Sequence, residues 1–250
     1  MKTAVIGALA LASVLVLSAS GAAEPVTVRY TEGVTRGFPV LRSVKGEKLA
    51  QGDLVQIARG DRVVSRMVFR FSDGSLYDET VEYSQRQVFT LERYRIVQRG
   101  PSFPEMIEAT FDRETSRYTV KHQADEDSPV ETMSGKLELP DDVYNGLLST
   151  LMKNLPVGAS TTVQIVAFTP KPRLVKMLLT PAAEDPITVG DAPMVATRFL
   201  IKPQLGLFAS LLVSDIPDVK CWIVGGEAPA FLKFEGPLYF MGPVWRIDLS

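Results

Sequence analysis

Few residue types in this chain can perform nucleophilic or acid–base chemistry. Its 250 residues include one histidine, His122, and one cysteine, Cys221. Hydrolases with a serine or cysteine nucleophile most often pair it with a histidine, and zinc sites combine several Cys or His ligands. The composition therefore argues against both kinds of site and against a disulfide scaffold. We expect Cys221 to be a small buried hydrophobic residue.

The acidic residues do not form a metal-binding pattern. Asp125–Asp127 lacks the alternating ligand positions and the distal Glu of a calcium loop. Asp141 and Asp142 are explained by the start of a helix, where negative charge is favourable. We therefore expect no metal site and no cofactor.

Carboxylates are the remaining candidates for catalysis. Asp78, Glu79 and Glu82 share one predicted strand, and Glu227 lies in a turn rich in Gly and Pro. Glycoside hydrolysis needs two carboxyl groups about 5 to 10 Å apart in a cleft. Nothing in the spacing of these four residues brings two of them together. A carboxylate-based hydrolase or lyase is therefore the least favoured function, and no residue is assigned a catalytic role.

The charge balance excludes one large class of partner. The chain has 27 Lys and Arg against 29 Asp and Glu, so its formal net charge is −2. Binding to nucleic acid depends on an excess of basic residues that neutralise phosphates. We expect no nucleic-acid partner.

The first 23 residues have the features of a secretory signal peptide. Lys2 precedes Ala4–Leu17, an uncharged and mainly apolar run, and small residues follow in Ser18–Ala23. As a helix, such a run would rise about 21 Å, less than the roughly 30 Å of a bilayer core. We predict a signal peptide over 1–23, a periplasmic or extracellular protein, and no transmembrane span after signal removal.

Residues 24–250 are predicted to form a single, mainly antiparallel β domain. From Leu54 onward, short segments rich in Val, Ile, Phe, Tyr and Thr alternate with polar residues and are separated by turn residues. In Asp61–Phe71, for example, Val63, Ser65, Met67, Phe69 and Phe71 share one face. The Asp73-Gly74 turn then returns the chain as a hairpin. About a dozen strands are expected.

One segment, 141–154, has the periodicity of a helix instead. Its apolar residues recur at intervals of three and four, and Pro156 follows its end. A dozen strands in one open sheet would leave long edges and a wide apolar face exposed. We therefore predict a sheet curled as a half-barrel around one central helix, with a β-sandwich as the alternative.

Six strings of residues resemble those of an uncharacterised family of secreted bacterial proteins, a domain of unknown function. They are Gln85–Phe89, Gly100–Pro104, Leu139–Gly146, Pro170–Arg173, Gly225–Phe231 and Gly242–Ile247. The family has no assigned activity. Its arrangement of a curled sheet around one helix is similar to that of periplasmic lipoprotein carriers, which hold acyl chains between sheet and helix. The resemblance thus implies a β-barrel-like fold and a lipid-binding role by analogy.

A binding or carrier protein for a hydrophobic, lipid-like ligand is the favoured function. Apolar residues between the sheet and the helix would hold the ligand's tail, and basic residues would hold its headgroup or carboxylate. The candidate ligand-binding residues are Leu147, Leu151, Phe208, Leu212, Trp222, Lys171, Arg173 and Arg246. The uncharged apolar connection after Lys202 is interpreted as core, as a lid or as a membrane contact. The alternative is a structural or protein-interaction domain with a partner in the cell envelope.

Overall fold

The computed structural model describes residues 25–189, 191–204 and 218–249. The predicted signal peptide and two candidate ligand-binding residues, Phe208 and Leu212, lie outside these ranges, as does most of the apolar connection after Lys202. The described residues form fifteen strands and one short helix. The strands are β1 (Thr35–Gly37), β2 (Val40–Ser43), β3 (Lys48–Arg59), β4 (Arg62–Phe71), β5 (Leu76–Gln85), β6 (Phe89–Arg99), β7 (Met106–Asp112), β8 (Arg117–Gln123), β9 (Glu131–Lys136), β10 (Thr161–Thr169), β11 (Lys171–Val189), β12 (Ala192–Pro203), β13 (Val219–Val224), β14 (Ala230–Gly236) and β15 (Trp245–Asp248). The helix is α1 (Leu148–Asn154).

All the strands belong to one sheet. Its order is β10-β11-β12-β13-β14-β15-β2-β3-β4-β5-β6-β7-β8-β9, and β1 pairs with β3 beside this path. The paired strands are antiparallel. Each pair joins strands that are consecutive in sequence, except the pairs β15–β2 and β1–β3. The prediction of a mainly antiparallel all-β fold is confirmed. A single hydrogen-bonded sheet replaces the alternative of two stacked sheets.

The sheet is curled, because strands from distant parts of its order meet on one face. The Tyr94 ring of β6 stacks on the Phe168 ring of β10, with centroids 6.3 Å apart and an interplanar angle of 3°. Buried side chains from β4, β5 and β6 and from β10 to β13 also join one hydrophobic cluster around α1. We call this group the helix cluster. The half-barrel around one helix that the sequence predicts is therefore confirmed.

The first and last strands on the path, β9 and β10, are not paired with each other in the described part of the chain, so the sheet is not closed. The exposed edge of β10 is instead covered by the segment before α1. Val143 forms a parallel bridge with Gln164, and the Asn145 side chain bonds both the backbone N–H and the carbonyl of Val166 at 2.8 Å. These bonds satisfy backbone groups that an open edge would leave exposed.

The helix is shorter than the predicted segment 141–154, since α1 begins at Leu148. The predicted cap, Asp142, does not cap it: the Asp142 carboxylate and backbone carbonyl both accept hydrogen bonds from Gln164 of β10. Gly146 then turns the chain with a φ of +69°, which ends the extended segment. Pairing with β10 thus competes successfully with the helical conformation that the apolar periodicity favours.

A second buried cluster occupies the other end of the inner face. Its members are Leu41, Ala50, Phe69, Phe71, Tyr77, Phe103, Trp245 and Ile247. Phe71, Phe103, Tyr239 and Trp245 contact one another through tilted or edge-on rings, with centroids 5.4 to 6.0 Å apart. We call the eight buried residues, together with Tyr239, the aromatic cluster. The interior is thus filled at both ends.

Two proline residues that predict breaks lie inside one strand. The sequence suggests separate strands at Arg173–Thr180 and Ile187–Val189, yet β11 runs through both as a 19-residue strand. The register shifts between Pro181 and Ala183, and pairing with β12 resumes beyond it. A bulge absorbs the irregularity that a proline introduces into a ladder.

Candidate functional site

The candidate site lies on the inner face between the two clusters. There the register places Met67 of β4 opposite Glu79 of β5, and Glu79 opposite Ile96 of β6. Alternation along β5 puts Glu79 on the same face as Tyr77 of the aromatic cluster and Val81 of the helix cluster. The three-residue row Met67-Glu79-Ile96 is the central row. It carries one acidic group between two hydrophobic clusters.

Two tyrosine hydroxyl groups surround the Glu79 carboxyl group. The Tyr94 hydroxyl donates a hydrogen bond to Glu79 Oε1 at 2.7 Å. Burial raises the pKa of Glu79 above its ordinary value, while hydrogen bonding from Tyr94 and Tyr77 opposes part of that rise. Burial and the nearby carboxylate raise the pKa of both tyrosines well above the usual range, so both phenols remain protonated donors.

The side chains of the central row are not fully packed. Met67, Glu79 and Ile96 are each half-buried, and so are Phe168 of β10 and Phe231 of β14. Ile96 and Phe231 contact both clusters, so they lie at the junction between the two. Neighbouring inner residues such as Phe69 and Tyr83 are fully buried. The region around Glu79 is therefore less completely buried than these neighbouring parts of the inner face.

The other carboxylates of β5 point the opposite way. Asp78 lies between Arg66, at 2.7 Å, and Arg95, at 3.6 Å, and Arg66 is the main cause that lowers the pKa of this carboxyl group. Glu82 faces Arg93 at 3.4 Å. Because strand side chains alternate, Glu79 is separated from both by the sheet itself. The three carboxylates of β5 therefore form no acid–base pair.

Two of the predicted ligand-binding residues lie in the helix cluster. Leu147 and Leu151 are buried there against β-strand side chains. Both are packed by the protein itself. Neither side chain is exposed.

Trp222 lies on the outer face of β13. Its neighbours Cys221 and Ile223 belong to the helix cluster, whereas Trp222 packs with Ala196 and Val224. The Trp222 indole donates a hydrogen bond to Asp185 at 2.7 Å, and the Lys233 ammonium lies 4.4 Å from its ring centroid. These contacts account for the tryptophan through packing alone.

The three predicted basic residues are not gathered in one place. Lys171 and Arg173 are exposed on β11, whereas Arg246 is on β15, with β12, β13 and β14 between them in the sheet. Arg246 donates a hydrogen bond to Asp248 at 3.0 Å. The structure therefore does not assemble a clamp from these residues.

The two remaining reactive side chains are also apart. Cys221 is buried in the helix cluster, as predicted, and burial raises the pKa of its thiol. His122 is half-buried on β8, where its ring contacts the Glu105 carboxylate at 2.5 Å. No Cys–His pair is formed.

Sequence reasoning named Glu79 only as one of several carboxylates and did not single out Met67, Tyr77, Tyr94 or Ile96. The alternation of β5 contains the necessary signal. Tyr77, Val81 and Tyr83 mark the apolar face, and Glu79 has the same parity. An acidic residue in phase with an apolar face is the feature that points to this site.

Glu79 should reduce stability at neutral and alkaline pH. Because its pKa is raised in the folded protein, the folded state holds the proton more tightly than the unfolded state does. Stability therefore falls as pH rises from the ordinary value of 4.5 through the raised pKa, and is unaffected below it. We expect Glu79→Gln to increase the free energy of unfolding at pH 8 and to change it little at acidic pH.

The measurement is a series of urea unfolding curves at several pH values. Glu82→Gln on the outer face of the same strand is the matched control, and it should gain no stability as the pH rises. A Glu79→Gln variant whose stability runs parallel to the wild type at every pH would contradict the assignment.

No family model and no curated protein matches the sequence. Among solved structures, the chain is similar to a beta-barrel-like protein of a domain of unknown function, DUF1849, from Brucella abortus. The two chains are 8% identical, the match covers 92% of this chain and 98% of the other, and the TM-score is 0.44. Among the described residues, no helix combines the length and apolarity needed to cross a bilayer.

Proposed function

We propose that the protein is an exported binding or carrier protein for a hydrophobic, lipid-like ligand. The ligand's apolar part lies against the central row and the rings of Phe168 and Phe231, and its polar group lies at Glu79. The observation that carries this proposal is the half-buried state of these apolar residues inside a curled sheet whose two ends are tightly packed.

The energetics favour an apolar ligand. Burial of apolar surface contributes about 25 cal/mol per Å², so a ligand that covers about 200 Å² of apolar surface gains about 5 kcal/mol before its own ordering costs. Ligand sites are typically apolar with a few converging polar groups. The Glu79 carboxyl group and the Tyr94 hydroxyl are such polar groups, and a 2.7 Å hydrogen bond holds them together.

The acidic residue also supports a role beyond packing. A buried carboxyl group costs free energy unless it is fully paired, and an apolar residue at this position would pack the interior better. Retention of a costly polar group at a loosely packed position is typical of a binding site. A neutral Glu79 donates a hydrogen bond and an ionised one accepts it, so the site suits a hydroxyl, amine or carboxyl group on the ligand.

Filling the central row should weaken ligand binding. The probe is cis-parinaric acid, a fatty acid whose fluorescence rises in an apolar environment. We expect the wild type to bind it saturably and Met67→Trp to bind it at least about tenfold more weakly, because the indole occupies the space beside Glu79. The measurement is a fluorescence titration.

Val64→Trp provides the matched control. Val64 lies on the same strand as Met67, is 36% exposed, and points to the opposite face of the sheet. The Val64→Trp variant therefore adds the same indole to the outer face. Its affinity for the probe should equal that of the wild type. Equal binding by both variants, or no saturable binding by the folded wild type, would overturn the proposal.

A structural or protein-interaction domain of the cell envelope is the second candidate. The hairpin of β11 and β12 favours it, because β10 pairs with β11 only up to Leu179 and β13 pairs with β12 only from Ala196. The part of β11 after Leu179 and the part of β12 before Ala196 therefore extend past the neighbouring strands as a two-stranded hairpin. Met194 and Val195 are exposed on this hairpin and offer an apolar contact to a partner. A ligand-free interior together with a stoichiometric partner recovered from envelope extracts would favour this second function.

A further inference from the structure

A polar cleft opens at the end of the curled sheet that carries α1. Its volume is about 350 Å³. Three parts of the chain line it: the segment Arg29–Glu32, Lys153 of α1, and the loop residues Glu227–Pro229 between β13 and β14. This cleft is separate from the central row, since Met67, Glu79 and Ile96 are not among its lining residues.

The wall formed by Arg29–Glu32 is fixed by hydrogen bonds. The backbone N–H groups of Arg29 and Tyr30 both donate to Asn154 Oδ1, at 2.8 and 2.7 Å. Asn154 itself is buried. Gln85 of β5 exchanges two hydrogen bonds with the backbone of Glu32, at 2.6 and 2.9 Å. The backbone of this wall is therefore held in place before any ligand arrives, which lowers the entropic cost of binding.

An ion pair between Lys153 and Glu32 forms the base of the cleft. The two side chains are only 14% and 11% exposed, and Glu32 also accepts a hydrogen bond from Gln56 at 3.1 Å. A pair this buried adds little net stability over an apolar pair, because desolvation offsets the attraction. Lys153 has three N–H donors. Within the described ranges, Glu32 is its one ionic partner, so the ammonium retains donors for a ligand.

The two other charged residues of the cleft have opposite signs. The Arg29 guanidinium donates to the Leu155 carbonyl at 3.0 Å through Nη1, which leaves further N–H groups on its planar fork. Glu227 is exposed on the facing loop, and the described residues include no ion-pair partner for it. The cleft thus combines the cationic donors of Arg29 and Lys153 with the exposed carboxylate of Glu227 and with Glu32, which Lys153 and Gln56 already engage.

We infer that this cleft binds a small zwitterion, with the anionic group at Arg29 and Lys153 and the ammonium group at Glu227. An aminoalkyl phosphate has this chemistry. It occurs as a free small molecule and as the headgroup of phosphatidylethanolamine. A simple anion would be repelled by Glu227 and a simple cation by Arg29, so both charges on one ligand are needed for affinity.

The test is a calorimetric titration with phosphoethanolamine. The wild type should bind it saturably and should bind inorganic phosphate or ethanolamine at least about tenfold more weakly. Glu227→Gln should weaken phosphoethanolamine binding about tenfold and leave the weak binding of inorganic phosphate unchanged or stronger. Arg29→Gln should weaken the binding of both. Glu126→Gln, which changes another exposed loop carboxylate, should alter neither affinity.

Thermal unfolding checks that each variant is folded, and Glu227 lies on an exposed loop where the substitution leaves the core untouched. Vesicles of phosphatidylethanolamine and phosphatidylglycerol in equal amounts show whether the cleft binds the lipid headgroup or the free zwitterion. Vesicle binding that phosphoethanolamine displaces assigns the lipid headgroup, and binding of the free compound alone assigns the small molecule. If phosphoethanolamine does not bind, or if Glu227→Gln and Arg29→Gln bind it as the wild type does, the inference is wrong.

Discussion

Gly146→Ala should lower the free energy of unfolding by about 2 to 4 kcal/mol, the combined cost of backbone strain and overpacking. Gly146 has a φ of +69°, in the left-handed region that residues with a Cβ adopt only at a cost. A Cβ added there would overlap Val81 Cγ2 and would lie 3.4 Å from the Glu79 carboxyl carbon. Val81 is buried in the helix cluster and cannot move away freely.

Gly158→Ala separates the two causes. Gly158 has a nearly identical φ of +74°, but an added Cβ would meet no atom within 4 Å. This variant should therefore show the backbone cost alone, about 1 kcal/mol. Urea unfolding of both variants measures the difference. Equal losses at the two glycines would mean that the turn at Gly146 does not press against β5 as described.

Leu151→Ala should lower the free energy of unfolding by about 2 to 5 kcal/mol, the usual cost of removing a buried leucine side chain and leaving a cavity. Leu151 is fully buried in the helix cluster, where side chains of β4 to β6 meet those of β10 to β13. A midpoint shift in urea at an unchanged m-value would identify the effect as a loss of native stability.

Val157→Ala is the control for this second effect. Val157 follows α1 by a few residues and is fully exposed, so its truncation should change stability by less than about 0.5 kcal/mol. A Leu151→Ala variant that unfolds like Val157→Ala would show that α1 does not hold the curled sheet together. It would also reopen the predicted role of Leu151 as a ligand contact.

The sequence predicts the strands best where one face is apolar and the other polar. In β4, buried Val63, Phe69 and Phe71 alternate with exposed Arg62, Val64 and Arg70, and the hairpin at Gly74 forms as expected. Strands that lack this contrast were missed. β1 and β2 are three and four residues long, and their pairing with β3 and β15 is set by tertiary contacts that no local pattern encodes.

For the helix and the site too, the local pattern predicts one part and strand pairing decides the rest. The apolar residues that recur at helical spacing from Val143 to Met152 are buried. Backbone pairing with β10, however, makes the segment before Gly146 extended and not helical. The position of Glu79 follows from alternation within β5. Its contact with Tyr94 also depends on the register of β5 with β6, which places Val81 opposite Tyr94. Register between strands is the part that a single sequence leaves open.

The pairing of β15 with β2 has a consequence for how the chain folds. Trp245 lies opposite Ser43, so the centre of the sheet is formed by residues that are far apart in sequence. Contacts with such large sequence separation close late, because the chain must first lose much of its freedom. The whole sheet can therefore form only once β15 is available to pair, and until then the β2 edge facing it is unpaired and open to aggregation.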